Sequence, residues 1–142
     1  MDNKSIKTYL PGTLGCYDYV VMLSRYHGKY LLSRHKGRST WELQGGHIEP
    51  GESADDAARR ELYEESGAVV FDITPLCDYS GEEPGRNNYG RGKVYQADIK
   101  RLDVIPESEM EEIRLFEDIV EDLTYPEITR AILAYRENNR FS

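Results

Sequence analysis

Between Gly45 and Gly67 the chain reads GGHIEPGESADDAARRELYEESG. Within it, Glu61, Glu64 and Glu65 recur at a spacing that a helix would gather on one side. Ser53 is placed to cap such a helix, Asp56 stands three residues later where a capping-box acid would, and Gly67 is a natural left-handed stop. At about 100° per residue, Ala54, Ala57 and Ala58 fall on one stripe, and the three glutamates continue it. Asp55, Asp56, Arg59 and Tyr63 fall on the opposite side. Glu61–Glu64 and Glu61–Glu65 are like-charge pairs, each costing ~0.2–0.5 kcal/mol on an exposed helix and more if buried. A hard divalent cation with oxygen ligands offsets such repulsion, and Mg²⁺ is usually held by a few carboxylates together with substrate phosphates. A lone ExxEE run reads as readily as a solvated acidic face. Here the run lies on the inward stripe, and its surroundings are not generic.

Gly46, five residues, Glu52, seven residues, Arg60-Glu61-Leu62, one residue, Glu64-Glu65, one residue and Gly67 together resemble the Nudix box from end to end. Two positions depart from that pattern: Gln44 stands where relatives often have Pro, and Ala68 where a bulky aliphatic is usual. The resemblance implies Mg²⁺-dependent hydrolysis, with Mn²⁺ as a possible substitute, of a nucleoside diphosphate linked to another group. Carried over by position, Glu61, Glu64, Glu65 and the Gly45 carbonyl would bind metal. Glu52 would support the metal or its water, and Arg60 would orient the carboxylates. The general base stays open among Glu61, Glu64 and a later loop acid, for which Glu109 is the first choice and Glu112 the second. Leu115 stands where relatives often have Trp. Arg34, His35, Arg38 and His47 are candidate substrate contacts, because they flank the strand entering the box or follow its glycine pair.

The remaining composition narrows the class. The net charge of −8 argues against nonspecific binding to nucleic acid or to an anionic membrane. Charge is uneven: residues 25–38 carry five cations and no acid, whereas residues 46–67 carry seven acids and two arginines. A basic segment beside an acidic metal helix suits a polyphosphate, and on this reading it lies along the cleft. Cys16 and Cys77 follow no metal spacing and sit in apolar runs, so both are expected to be buried thiols in a reducing compartment. No secretory signal or membrane-spanning run is visible, and a cytoplasmic monomer or homodimer is expected.

The elements that must position these residues follow from periodicity. Residues 1–142 are expected to form one domain, with 1–13 as a mobile arm. Cys16–Ser24, Lys29–Arg34 and Ser39–Gln44 read as strands, the first two joined at His27-Gly28. Ala54–Ser66 is the box helix. Val69–Tyr79 is extended and interrupted by Pro75, Lys93–Ile99 alternates like a strand, and Glu112–Phe116 is a short strand after an acidic loop at Pro106–Met110. Pro126–Asn138 closes the chain as a helix. Gly81–Gly92 is a glycine-rich polar loop, a candidate lid or an ordinary hairpin loop. The implied class is α+β, the Nudix fold, a mixed sheet with helices on both faces. MutT-type hydrolysis of a purine nucleoside triphosphate, oxidised or not, is the favoured function. The alternatives are an ADP-ribose or ADP-sugar pyrophosphatase (Pro84 partly fits that group), a non-catalytic nucleotide sensor and, more weakly, an isomerase.

Overall fold

The computed structural model describes residues 6–82 and 90–139. Pro84, Gly85 and Arg86, with most of the loop proposed as a lid, lie outside them. Seven strands form one mixed sheet: β1 (Ile6–Tyr9), β2 (Tyr19–Tyr26), β3 (Lys29–His35), β4 (Gln44–His47), β5 (Ala68–Gly81), β6 (Arg91–Leu102) and β7 (Met110–Phe116). The order is β1-β5-β6-β2-β3-β7, with β4 on β2. β2 and β6 run parallel, and the other pairs of strands run antiparallel.

Alternation along β2 divides the core in two. Val20 and Met22 face α1 (Ala54–Ser66), packing with its Ala57, Ala58 and Leu62. Val21 and Leu23 face α2 (Pro126–Asn138), packing with its Ile128 and Ile132. Period-2 side chains on a sheet covered on both faces require this split. The α1 termini match the sequence reading: the Ser53 side chain accepts from the Asp56 amide, and Gly67 takes φ 83° with its amide bonded to the Tyr63 carbonyl.

Strand β2 is shared. Its outer half pairs with β3 across the His27-Gly28 turn, where both residues have positive φ, and its inner half pairs with β4. Where β3 and β4 part, the fully buried Gln44 fills the fork. Its amide donates to the Leu31 carbonyl at 3.1 Å and to Ser33 Oγ at 2.9 Å, and it accepts from Ser24 Oγ at 2.6 Å. A proline there would remove all three bonds, which accounts for one of the two departures noted in the sequence.

Three expectations need correction. The start is not wholly a mobile arm, because Ile6–Tyr9 pairs with Asp78–Gly81. The buried Asp78 carboxylate then accepts from the Gly12 and Leu14 amides and the Tyr17 hydroxyl, fixing the turns that follow. Cys16 is exposed, since β2 begins only at Tyr19; Cys77 is buried, and burial pushes its thiol up to about 12. The strand expected over Ser39–Gln44 is reduced to single bridges at Trp41 and Glu42, and regular pairing starts at Gln44. No helix among the described residues is long and apolar enough to cross a membrane.

Candidate active site

The glycine pair and the glutamate helix are built against each other. A Cβ on Gly45 would lie 2.4 Å from the Val20 carbonyl oxygen, and one on Gly46 would lie 2.3 Å from Glu61 Oε2. The bare backbone of β4 therefore lets the helix carboxylates come close. The Gly45 amide donates to Glu65 Oε1 at 2.8 Å, and Ser33 Oγ donates to the Glu65 carbonyl at 2.8 Å. These two bonds tie the end of α1 to the sheet.

Arg60 holds the rest together. It donates to Glu52 through Nε at 2.7 Å and Nη2 at 2.9 Å, to Glu61 at 3.0 Å and to Glu64 at 3.3 Å. A further bond of 3.2 Å reaches the His47 carbonyl. The fork toward Glu52 is bidentate, the strongest common geometry for this pair. It holds the Glu52 carboxyl down at about 2, with help from the Glu49 amide. Burial has the opposite effect on the helix acids. It pushes Glu61 up to about 7 against the pull of Arg60, and raises Glu65 well above the usual carboxylate range against its bond from Gly45. Glu61 has a side chain only 13% exposed, whereas Glu64 is 48% exposed.

The three glutamates thus share one side of α1 but do not converge, and no ready-made cluster of three ligating acid, histidine or cysteine side chains occurs among the described residues. Arg60 supplies the positive charge between Glu52, Glu61 and Glu64. The donor set still fits a hard divalent cation: carboxylate oxygens, those of Glu61 and Glu65 partly buried, with charge that a single guanidinium does not match.

Glu61, Glu64 and Glu65 line a cleft of about 410 Å³ with Glu49, Glu107 and Glu109. It continues past Glu65 and Glu109 into a chamber of about 180 Å³ lined by His35, Arg38, Glu42, His47 and Tyr125. The turn at residues 35–38 is joined to the Glu109 loop: the Lys36 amide donates to the Glu109 carbonyl at 2.8 Å, and His35 Nε2 lies 3.4 Å from Glu109 Oε1. Opposite Arg34 and His35 the register of β7 shifts, so Glu111 is extra and Glu112 pairs with Arg34.

That shift separates the candidates. His35, Arg38, His47 and Glu109 reach the cleft. Arg34 does not: it binds Glu111 and Glu112 and lies 5.9 Å above the Trp41 ring. Glu112 is likewise taken by Arg34 and Arg114. Nor does the basic segment line the cleft as a whole. Arg25 caps its own turn at the Gly28 carbonyl, Lys29 pairs with Glu117 and Lys36 with Glu107. Long cations beside an acidic strand pair locally rather than wait for a ligand.

Glu42 and Tyr125 were missed in the sequence. Glu42 falls inside the short strand expected over Ser39–Gln44 with no motif to mark it, and Tyr125 lies in a stretch without periodicity. Parallel bridging of Trp41 to Leu123, with the Trp41 amide bonded to the Asp122 carbonyl, brings that stretch to the cleft wall. A larger cavity of about 510 Å³ lies by Leu10, Leu76 and Tyr135, away from the glutamate helix.

The family model for the NUDIX domain matches residues 18–131. Among curated proteins, YtkD of Bacillus subtilis (strain 168), named for 8-oxo-dGTP diphosphatase activity, is 38% identical over 85 residues, covering 60% of this chain and 52% of the relative. An RNA pyrophosphohydrolase of Shewanella oneidensis is 40% identical over 57 residues, covering 40% of this chain and 32% of the relative. The alignments span about half or a third of these relatives' lengths. Among solved structures, the Bacillus subtilis pyrophosphohydrolase BsRppH superposes with a TM-score of 0.79 at 24% identity, over 96% of this chain and 92% of that one. A MutT NUDIX hydrolase of Burkholderia pseudomallei gives 0.66 at 25% identity, over 82% and 95%. Since the matched model takes in the box helix, the whole box and strands β2 to β7, the chain belongs to the Nudix family.

Proposed function

We propose that this protein is a pyrophosphohydrolase using Mg²⁺ or Mn²⁺, acting in the cytoplasm on a purine nucleoside triphosphate and releasing nucleoside monophosphate and pyrophosphate. The observation that carries the reading is the single cleft in which Glu61, Glu64 and Glu65 face Glu109. Bound among these carboxylates and the Gly45 carbonyl, a divalent ion would neutralise the diphosphate and activate water. The chain's own residues do the rest. Arg60 and Glu52 fix the direction of the helix carboxylates. Glu61, Glu64 or Glu109 takes the proton of the attacking water. His35, Arg38 and His47 meet the substrate from the other chamber.

The triphosphate reading draws support from YtkD, whose name specifies 8-oxo-dGTP. A second reading, removal of pyrophosphate from a triphosphorylated RNA end, draws on the relatives named RNA pyrophosphohydrolase. It needs the same phosphoanhydride attack. The ADP-ribose alternative leaned on Pro84, which lies outside the described residues. A panel of dGTP, 8-oxo-dGTP, ATP, ADP-ribose and a 5′-triphosphorylated oligoribonucleotide, assayed with Mg²⁺ and with Mn²⁺, tests the reading. The expected result is the highest kcat/KM on a purine nucleoside triphosphate. A preference for ADP-ribose, or no turnover of any triphosphate, contradicts it.

A further inference from the structure

The two chambers of the cleft differ in charge. Around Glu61 and Glu109 the walls are anionic. At the far chamber Arg38 Nη1 donates to Glu42 Oε1 at 3.2 Å, and Tyr125 lines the same chamber. The cation is thereby matched by a fixed carboxylate. A phosphate entering here would meet Glu42 as well as Arg38. An uncharged group carrying N–H donors would meet an acceptor, and an aromatic ring beside it.

Glu42 has acceptor capacity left for such a group. A carboxylate offers about four lone-pair sites, and among the described residues that of Glu42 takes one donor, Arg38 Nη1, with Thr124 close by. Its side chain is only 9% exposed. Burial outweighs both partners and raises its carboxyl above the ordinary range. Glu42, Gly45 and Tyr125 line both the 180 Å³ chamber and a small recess beyond it at Leu43 and Ile128.

We propose that Glu42 is a specificity residue that reads the nucleobase, its carboxylate accepting from the adjacent ring N–H and exocyclic amine of a guanine-type edge while Tyr125 lies alongside. The assignment rests on the nucleotide-hydrolase reading above and adds the base. Adenine presents a ring-nitrogen acceptor at the corresponding place, which a carboxylate repels, and hypoxanthine presents one N–H where guanine has two. Sites built to pair a ligand N–H reject analogues that lack it, because the buried group is left unsatisfied.

Titration calorimetry with the non-hydrolysable α,β-methylene analogues of GTP, ITP and ATP in Mg²⁺ tests this without turnover. The wild type is expected to bind the guanosine analogue about tenfold or more tighter than the adenosine analogue, with inosine between. Glu42→Gln, checked for a wild-type-like melting curve, is expected to abolish that gap while adenosine binding stays within about threefold. Equal binding of guanosine and adenosine analogues by the wild type overturns the proposal, and this arm needs no variant to fold. So does a uniform loss for all three in Glu42→Gln, which would mean that Glu42 only braces Arg38. A protein that shows the guanosine preference but hydrolyses no triphosphate would contradict the proposed reaction and leave this assignment standing.

Discussion

Gly46 has no room for a side chain, and the atom in its way is a carboxylate oxygen of Glu61, 2.3 Å from where a Cβ would sit. Gly46→Ala should therefore move the Glu61 carboxylate rather than break the sheet. We expect kcat to fall at least tenfold, with Tm lowered by only a few degrees; an unchanged kcat would mean that the Glu61 position is immaterial. Glu64 and Glu65 divide differently. Glu64 is half exposed and, among the described residues, bonded only to Arg60 at 3.3 Å, while Glu65 anchors the Gly45 amide. Both Gln variants should lose orders of magnitude in kcat, but only Glu65→Gln should also weaken the join between α1 and β4. Kinetics and melting on the two variants check this, and near-wild-type kcat in either removes that residue from the metal site. The glutamate spacing, the caps and Arg60 were legible in the sequence because their roles are local to the segment from His47 to Gly67. Glu42 was not, because the chamber it shares with Tyr125 exists only when the segment before α2 folds back onto Trp41.

At the scale of elements, the site depends on how β2 is divided between β3 and β4. Gln44 closes the fork with three hydrogen bonds, all buried. Gln44→Leu keeps the volume but takes their Gln44 partner from the Leu31 carbonyl and the Ser24 hydroxyl, while Ser33 Oγ keeps its bond to the Glu65 carbonyl. Unsatisfied buried groups cost about 1–3 kcal/mol each, so an overall loss of about 2–5 kcal/mol by urea unfolding is expected; a change below about 1 kcal/mol would show the fork to be tolerant. Helix α2 and the box helix followed from 3.6-residue periodicity. The fork did not, because splitting one strand edge between two partners leaves no periodic trace. The short β1 and the β7 register shift escaped for the same reason: edge pairing is set by the neighbouring strand, not by local pattern.

For the whole molecule, pH reports the balance between the acids. Glu61 is raised to about 7 from an ordinary value near 4.5, so the folded metal-free protein binds a proton that the unfolded chain releases in that window. Stability without metal should then fall as pH rises from about 4.5 to about 7. Glu52, held at about 2, contributes in the other direction: its stabilisation is present above about 4.5 and is lost as pH falls toward 2. Metal ligands must be deprotonated, so Mn²⁺ affinity should rise up to about pH 7. Melting curves across pH in EDTA and in Mn²⁺ test both signs, and a metal-free Tm that climbs between pH 5 and 7 contradicts the first.

The central claim is that the glutamate helix directs water onto a bridging phosphoanhydride. The most direct measurement is hydrolysis of a purine nucleoside triphosphate in ¹⁸O-labelled water with Mg²⁺, with products resolved by mass spectrometry and an EDTA control. The account predicts nucleoside monophosphate plus pyrophosphate, one labelled oxygen on one of the two, and no turnover in EDTA. Release of inorganic phosphate alone from the triphosphate, or full turnover in EDTA, would contradict it.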